Sequence, residues 1–448
     1  MRDIVVTLFF LGAAAVALRK PYYGALLWVW VGLMNPHRLG WGFAYDLPFG
    51  LASVVLVALG ILFSNGEVRW QKGAPITFLI LLMLWMAVTT VTSIVVGPSV
   101  SKYIEVLKVF GMTLMVGALV SSREQIMGLI WVVVGSIAFF GFKGGIFTIS
   151  TGGQFRVWGP PSSLVNGNNE LALALIICIP LLYFLANQIR VTHEFVLVRW
   201  MNAAWLRRLL LLTMVLCAIA AIGSQSRGAL LAVAAMGLNL WWHSRSKGSI
   251  GVVLLLLTPA ILFLMPEEWM ARMRTIGEYD QDLSALGRIN AWEMAINIAN
   301  DRLFGAGFTT AVPIVFQMYA PNPEWKLVAH SIYFQVLGEH GYIGLILYLG
   351  FWFSTYRCAG RLAAMRKHGE PFAWVALLGS MSKVSMIGFA VGGAFLSLAY
   401  WDMPFYLMVI LVASERYAKE QLLGTAIART DSRSKQLQPV VGAPRAAV

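Results

Sequence analysis

Apolar runs of roughly 15 to 25 residues recur along nearly the whole chain, each long enough to cross a hydrocarbon layer about 30 Å thick as a helix. No other feature constrains the fold so tightly. Inside lipid the backbone has no water to bond, so each span must satisfy its own polar groups, as a helix does, and the alternating pattern of a membrane barrel is absent. Composition agrees, because 448 residues that are 58% hydrophobic and 12% charged would aggregate as a soluble domain. The expected fold class is an all-α polytopic membrane protein, a bundle of about 12 transmembrane helices.

Spans are expected near 4–18, 22–34, 47–63, 74–95, 103–120, 125–149, 170–187, 209–223, 229–242, 250–265, 341–356, 374–397 and 403–415. The first run reads as a retained helix, since nothing resembles a cleavable signal followed by a soluble domain. Arginine and lysine number 34 against 21 acidic residues, an excess that would point to nucleic acid in a soluble protein. Here the cations collect in short loops, where they set orientation, and no nucleic-acid partner is expected. Residues 190–208, Arg245 with Lys247, residues 357–367 and the tail from Arg416 should all be cytoplasmic. The tail from Thr430 is polar and poor in aromatic residues, and is expected to be disordered. Cys178, Cys217 and Cys358 sit in or at the ends of apolar segments and read as packing residues, not as a disulfide framework or a zinc site.

The long hydrophilic segment 266–340 is then forced to the opposite, outer side, joined there by the turn 224–228 and by residues 152–170. Three polar clusters distant in sequence thus converge on one face. Within the loop, Ser284 is a plausible N-cap, and Ile289, Trp292, Ile296, Ala299 and Leu303 recur at helical spacing before Gly305 and Gly307. A second helix is expected from near Ala329 through His330 toward Gly341. If continuous, it would hold His330 roughly 16 Å above Gly341.

Arg227 lies at a membrane boundary, where a guanidinium either snorkels or meets an anion such as phosphate, whose oxygens it matches two at a time. Arg288 stands near the start of the first loop helix, where the dipole disfavours a cation unless an anion is bound; the alternative is a solvated face. Lys143 and Arg156 are further outer-side cations able to line an anion pocket, to snorkel, or to serve as ordinary loop charges. His330 reads either as a core histidine or as a general base, since imidazole titrates near neutrality and can take a proton from an attacking hydroxyl. His340 and His37 lie near span ends without evident polar partners. Glu278, Asp280 and Asp282 have a spacing too incomplete for a known calcium loop, so no metal site is expected. There is no glycine-rich nucleotide loop and no serine-nucleophile elbow, so an activated donor or a gradient must supply the energy. A transporter would also be a helical bundle, but no internal repeat is evident.

These residues resemble bacterial O-antigen ligases and related O-glycosylation ligases. Arg227 is followed after three residues by Leu231, and His330 after ten by Gly341, as in the ligase pattern. The stretch from Gly287-Arg288 through Trp292 to Gly305 and Gly307 is similar to the shared ligase and polymerase domain, over roughly 210–350. Met34-Asn35-Pro36-His37-Arg38-Leu39, Val157-Trp158-Gly159-Pro160-Pro161 and Asn168-Asn169-Glu170 resemble the branch associated with exosortase systems. The organisation implied is a set of amino-terminal transmembrane helices over 1–209, a ligase-like core 210–350 with a periplasmic loop 266–340, carboxy-terminal helices 351–417, and a cytoplasmic tail 418–448. The resemblance implies an undecaprenyl-pyrophosphate-linked glycan donor and an acceptor that is lipid A core sugar, protein, or, for a polymerase, another glycan. It implies no nucleotide sugar, no cofactor, metal independence and inversion at the anomeric carbon. It also implies catalytic His330, Arg288 and Arg227, with Arg156 and Lys143 as secondary pyrophosphate contacts, facing the periplasm from the bacterial inner membrane.

Overall fold

A computed structural model describes residues 1–63, 68–189, 201–243, 248 and 283–436. The expected span 250–265, the loop residues 266–282 with Glu278, Asp280 and Asp282, and the cations Arg245 and Lys247 lie outside these residues. Everything described is helix or connection, with no strand among the described residues. In chain order the helices are α1 (Arg2–Ala17), α2 (Pro21–Met34), α3 (Phe49–Phe63), α4 (Ala74–Val91), α5 (Val96–Ala118), α6 (Arg123–Ser150) and α7 (Asn168–Asn187). They continue with α8 (Ala203–Gly223), α9 (Arg227–His243), α10 (Leu283–Asp301), α11 (Pro313–Tyr319), α12 (Ile332–Ala364), α13 (Ala373–Gly393) and α14 (Asp402–Gln436).

Local chemistry sets several starts. Pro21 opens α2 and Pro75 lies in the first turn of α4, positions where a missing N–H loses no helix bond. Ser122 and Gln125 form a reciprocal capping box at α6, and the Asn202 side chain accepts the Ala204 N–H to begin α8. α5 starts at Val96, earlier than expected, because Pro98 falls in its first turn, where proline is tolerated. α14 continues to Gln436, past the point where disorder was expected, with Lys419 paired to Glu415 and Arg416 to Glu420 one turn apart as it leaves the apolar stretch.

Among the described residues six helices are long and apolar enough to cross a membrane: α4, α6, α7, α8, and α12 and α13 with their short 3-10 extensions. The chain is a multi-pass membrane protein. The other expected spans are shorter, or carry charge, as α5 does with Lys102, Glu105 and Lys108. The centre is α7, nearly all of it buried, packed between α6, α8 and α13. Gly145 lets α6 meet α8 backbone to backbone, since a Cβ there would collide with the Leu216 carbonyl.

The bundle has two distinct ends. At one, the Arg416 guanidinium donates to the carbonyls of Arg69 and Val120, Arg361 grips the Glu415 carboxylate at 2.7 and 2.8 Å, and Arg123 stacks on Trp374. At the other, the Asp3 carboxylate accepts N–H groups of Gly42 and Ala44, the Asn35 amide donates to the carbonyls of Pro161 and Ser162, and Ser99 donates to the Phe308 carbonyl. The polar connections 152–167 and 224–226 lie at this second end.

Candidate active site

The turn between α8 and α9 is built from its own polar atoms. The Ser224 hydroxyl donates to the Ala221 carbonyl at 2.6 Å, Gln225 takes a left-handed conformation (φ 56°), and the Ser226 hydroxyl accepts the Ala229 N–H, capping α9. Arg227 is therefore the first residue of α9, exposed above three buried turn residues. The segment 152–170 is fastened to this turn by three bonds. Asn168 donates to the Ser224 carbonyl at 2.8 Å, the Val157 N–H to the Gly223 carbonyl at 3.3 Å, and the Gln225 amide to the Gly153 carbonyl at 3.2 Å.

Above this junction lies a cavity of about 190 Å³ lined by Arg156, Asn168, Asn169, Gln225, Ser226, Arg227 and Arg288, with Leu173, Gly392, Phe395 and Leu396 as its apolar side. Three guanidinium groups surround it, and among the described residues no carboxylate lines it. The first residues of α7 (Asn168, Asn169) and of α9 (Arg227, Gly228, Ala229) both form its wall, so two positive helix ends add to the guanidinium field. The convergence of the three polar clusters is thus present, with Arg156, Arg227 and Arg288 supplied by one each. Lys143 is not in the lining: it is exposed on α6, its ammonium 5.5 Å from the Phe139 ring.

Arg288 and His330 come from neighbouring elements that are tied together. Helix α10 contains Leu283 and Ser284, so Ser284 is inside the helix instead of capping it, and Arg288 is in the second turn. The Asn290 side chain donates to the carbonyls of Asn322 and Trp325 and accepts the Asn322 N–H, holding the loop that leads to His330. Trp292 donates to the Ala329 carbonyl at 2.6 Å and stacks on Phe334 at 4.9 Å. His330 is not within a helix, as the sequence spacing had indicated. It has φ 44°, Ser331 is the N-cap, and α12 starts at Ile332. A left-handed histidine costs of order 1–3 kcal/mol, strain that persists where neighbours over-determine it. Burial first, and then the charge of Arg288, hold the imidazole below its ordinary value of 6.5.

The expected continuous rise from Gly341 to His330 is also corrected. Gly341 has φ 66° and ψ −172°, a break that leaves the half-helix 332–340 distinct from the long span below it. The break frees the carbonyls of Gly338 and Glu339, which accept the N–H groups of Ala306 and Gly307 at 2.9 Å each. The ten-residue interval between His330 and Gly341 is therefore the length of one helical segment with its cap. His340 does have a polar partner, contrary to the reading of the sequence: fully buried, its Nδ1 meets the Thr89 hydroxyl at 2.7 Å, while Nε2 makes no hydrogen bond and lies 3.9 Å from the Glu339 carboxylate, which accepts the Tyr400 hydroxyl at 2.5 Å. Thr89 and Tyr400 lie some 60 to 250 positions from this pair in sequence, as do Phe395 and Leu396 from the arginines, and no spacing rule could have found them. Asn168 and Asn169 were visible beforehand only within a family-like motif.

Two family models match the chain. Residues 212–349 match the model described as O-antigen ligase, and residues 1–190 match a family of unknown function. No curated protein matches the chain. The second match covers the segments around Asn35, Trp158 and Asn168 and names neither an activity nor a branch of ligases. The first contains Arg227, Arg288 and His330 together with the break at Gly341, and over these residues the chain carries an O-antigen ligase domain.

Proposed function

We propose that the chain is a glycosyltransferase that moves a glycan en bloc from undecaprenyl pyrophosphate to a hydroxyl of the lipid A core oligosaccharide, at the periplasmic face of the inner membrane. The observation that carries this reading is the gathering of Arg156, Arg227 and Arg288 around one cavity, with His330 close enough to Arg288 to feel its charge. A pyrophosphate in the cavity turns mutual repulsion among three guanidinium groups and two helix ends into attraction, and each guanidinium can engage two phosphate oxygens. His330 accepts the proton of the acceptor hydroxyl as that oxygen bonds to the anomeric carbon. The bond from that carbon to the phosphate oxygen breaks, and its electron pair leaves with the pyrophosphate, whose growing charge the arginines stabilise. Attack from the side opposite the leaving group inverts the anomeric centre.

The orientation is supported by the cluster of Arg69, Arg123, Arg361 and Arg416 at the far end of the bundle, a cationic bias of the kind that cytoplasmic ends carry. The same chemistry serves a protein hydroxyl or another lipid-linked glycan, and the acceptor is the variable an assay must scan. Purified protein, lipid-linked glycan and candidate acceptors should give inverted product in chelator, because the arginines supply the fixed positive charge. Activity lost in chelator and restored by magnesium or manganese would overturn the metal-free mechanism and direct attention to Asp280 and Asp282.

A further inference from the structure

Glu339 stands where three elements that frame the cavity meet. Its backbone carbonyl accepts the Gly307 N–H, fastening the segment that follows the Arg288-bearing helix α10. Its carboxylate accepts the Tyr400 hydroxyl at 2.5 Å, fastening the 394–401 segment, which lines the cavity through Phe395 and Leu396. Glu339 itself belongs to the half-helix 332–340, whose preceding residues present His330. A second rung joins the same partners, since the Gln335 side chain accepts the Ala399 N–H at 3.4 Å, and the next residue, His340, is held to α4 through Thr89 and Trp85.

We propose that Glu339 is a positioning residue for glycan transfer: clamped to Tyr400, it fixes the half-helix 332–340, and with it His330, against the Arg288 helix and the cavity wall. The proposal rests on His330 acting as the base. Glu339 is 6% exposed, and a carboxylate so placed in an apolar bundle is expensive unless paired and geometrically useful. The groups facing it are the Tyr400 hydroxyl, the Gln335 side chain, the Thr309 backbone N–H, His340 and, from α5, Lys102. None of them touches the cavity, so Glu339 acts through the helix and not on substrate. The lever is long: the helix rises about 10 Å from Glu339 to its first residue, Ile332, so a tilt of about 6° displaces that end, next to His330, by about 1 Å. Misplacement of that size typically costs about 10²-fold in a positioned reaction.

The test uses the full chain in lipid nanodiscs and three variants, Glu339→Ala, Tyr400→Phe and Glu339→Gln. Transfer rate and donor-lipid binding are measured, together with the pH dependence of His330 carbethoxylation, followed on its own peptide by mass spectrometry. The first two variants should bind donor as the wild type does and transfer about 10²-fold more slowly. In both, His330 should titrate closer to 6.5, because it drifts from Arg288 and from its buried setting. Glu339→Gln keeps an oxygen to accept the Tyr400 hydroxyl and should recover most of the rate. Should Glu339→Ala fail to fold, Tyr400→Phe decides, since it removes one oxygen atom. A folded Tyr400→Phe protein whose His330 titrates as in the wild type overturns the proposal. The titration needs no turnover, so a wild-type chain that transfers no glycan would overturn the function while leaving the positioning role readable.

Discussion

His330 combines two uncommon states, a left-handed backbone and an imidazole whose proton affinity is lowered by burial and by Arg288. The second suits the proposed base, which must stay neutral beside cations. The acid limb of the pH–rate profile should therefore fall below 6.5, with activity lost as pH drops through it, because a protonated ring cannot take the acceptor's proton. Arg288→Gln removes a positive charge that disfavours the imidazolium, so it should move that limb upward while weakening donor use severely. His330→Ala should bind the lipid-linked donor and lose about 10² to 10⁴ in rate, and transfer near the wild-type rate would end the assignment. Arg227, at the first position of α9, would in the proposed role grip two oxygens at once, and Arg227→Lys should restore only some of the activity missing in Arg227→Gln.

At the scale of the element, the decisive device is the break in α12. A helix running unbroken from Ile332 to Ala364 would use the carbonyls of Gly338 and Glu339 internally, and α10 would have nothing to dock on through Ala306 and Gly307. Only glycine adopts the Gly341 conformation at little cost, and a Cβ there would meet the Leu303 carbonyl. Gly341→Ala is thus expected to destabilise the protein by at least about 1–2 kcal/mol from the left-handed backbone alone, with the contact adding to it. Thermal unfolding in detergent should record the loss, and transfer should fall with it because Arg288 and His330 are carried on the two elements joined there. A variant that melts and transfers like the wild type would show the break to be incidental.

Across the whole molecule, the cavity belongs to no single stretch of chain. Arg156, Asn168 and Asn169 come from the 1–190 region of unknown function, Arg227 and Arg288 from the ligase domain, and Phe395 and Leu396 from beyond it. The amino-terminal region is therefore built into the site's architecture and is not an appended anchor. The two ends of the bundle also make a topological prediction. Single cysteines at Trp41, Gln154 and Lys326 should react with an impermeant maleimide from one side of the membrane, and cysteines at Arg208 and Lys367 only from the other. Labelling of Trp41 and Lys326 from opposite sides would be incompatible with this fold.

The membrane class, the helical content, the positions of most described helices and the convergence of Arg156, Arg227 and Arg288 were legible in the sequence. Hydropathy is a local property, and charge bias in short loops fixes which connections share a side. Helix ends were less legible at α5 and α14, where charged residues mask a continuing helix. Lys143 was expected on the same outer side as the three arginines yet lies apart from the cavity, because its place depends on how α6 is rotated. The backbone state of His330, the docking at Gly338 and Glu339, and the partner of His340 likewise required the tertiary structure. Each depends on groups brought together across tens to hundreds of residues by helix packing, where a rotation of one residue, about 100°, turns a side chain from the cavity to the lipid.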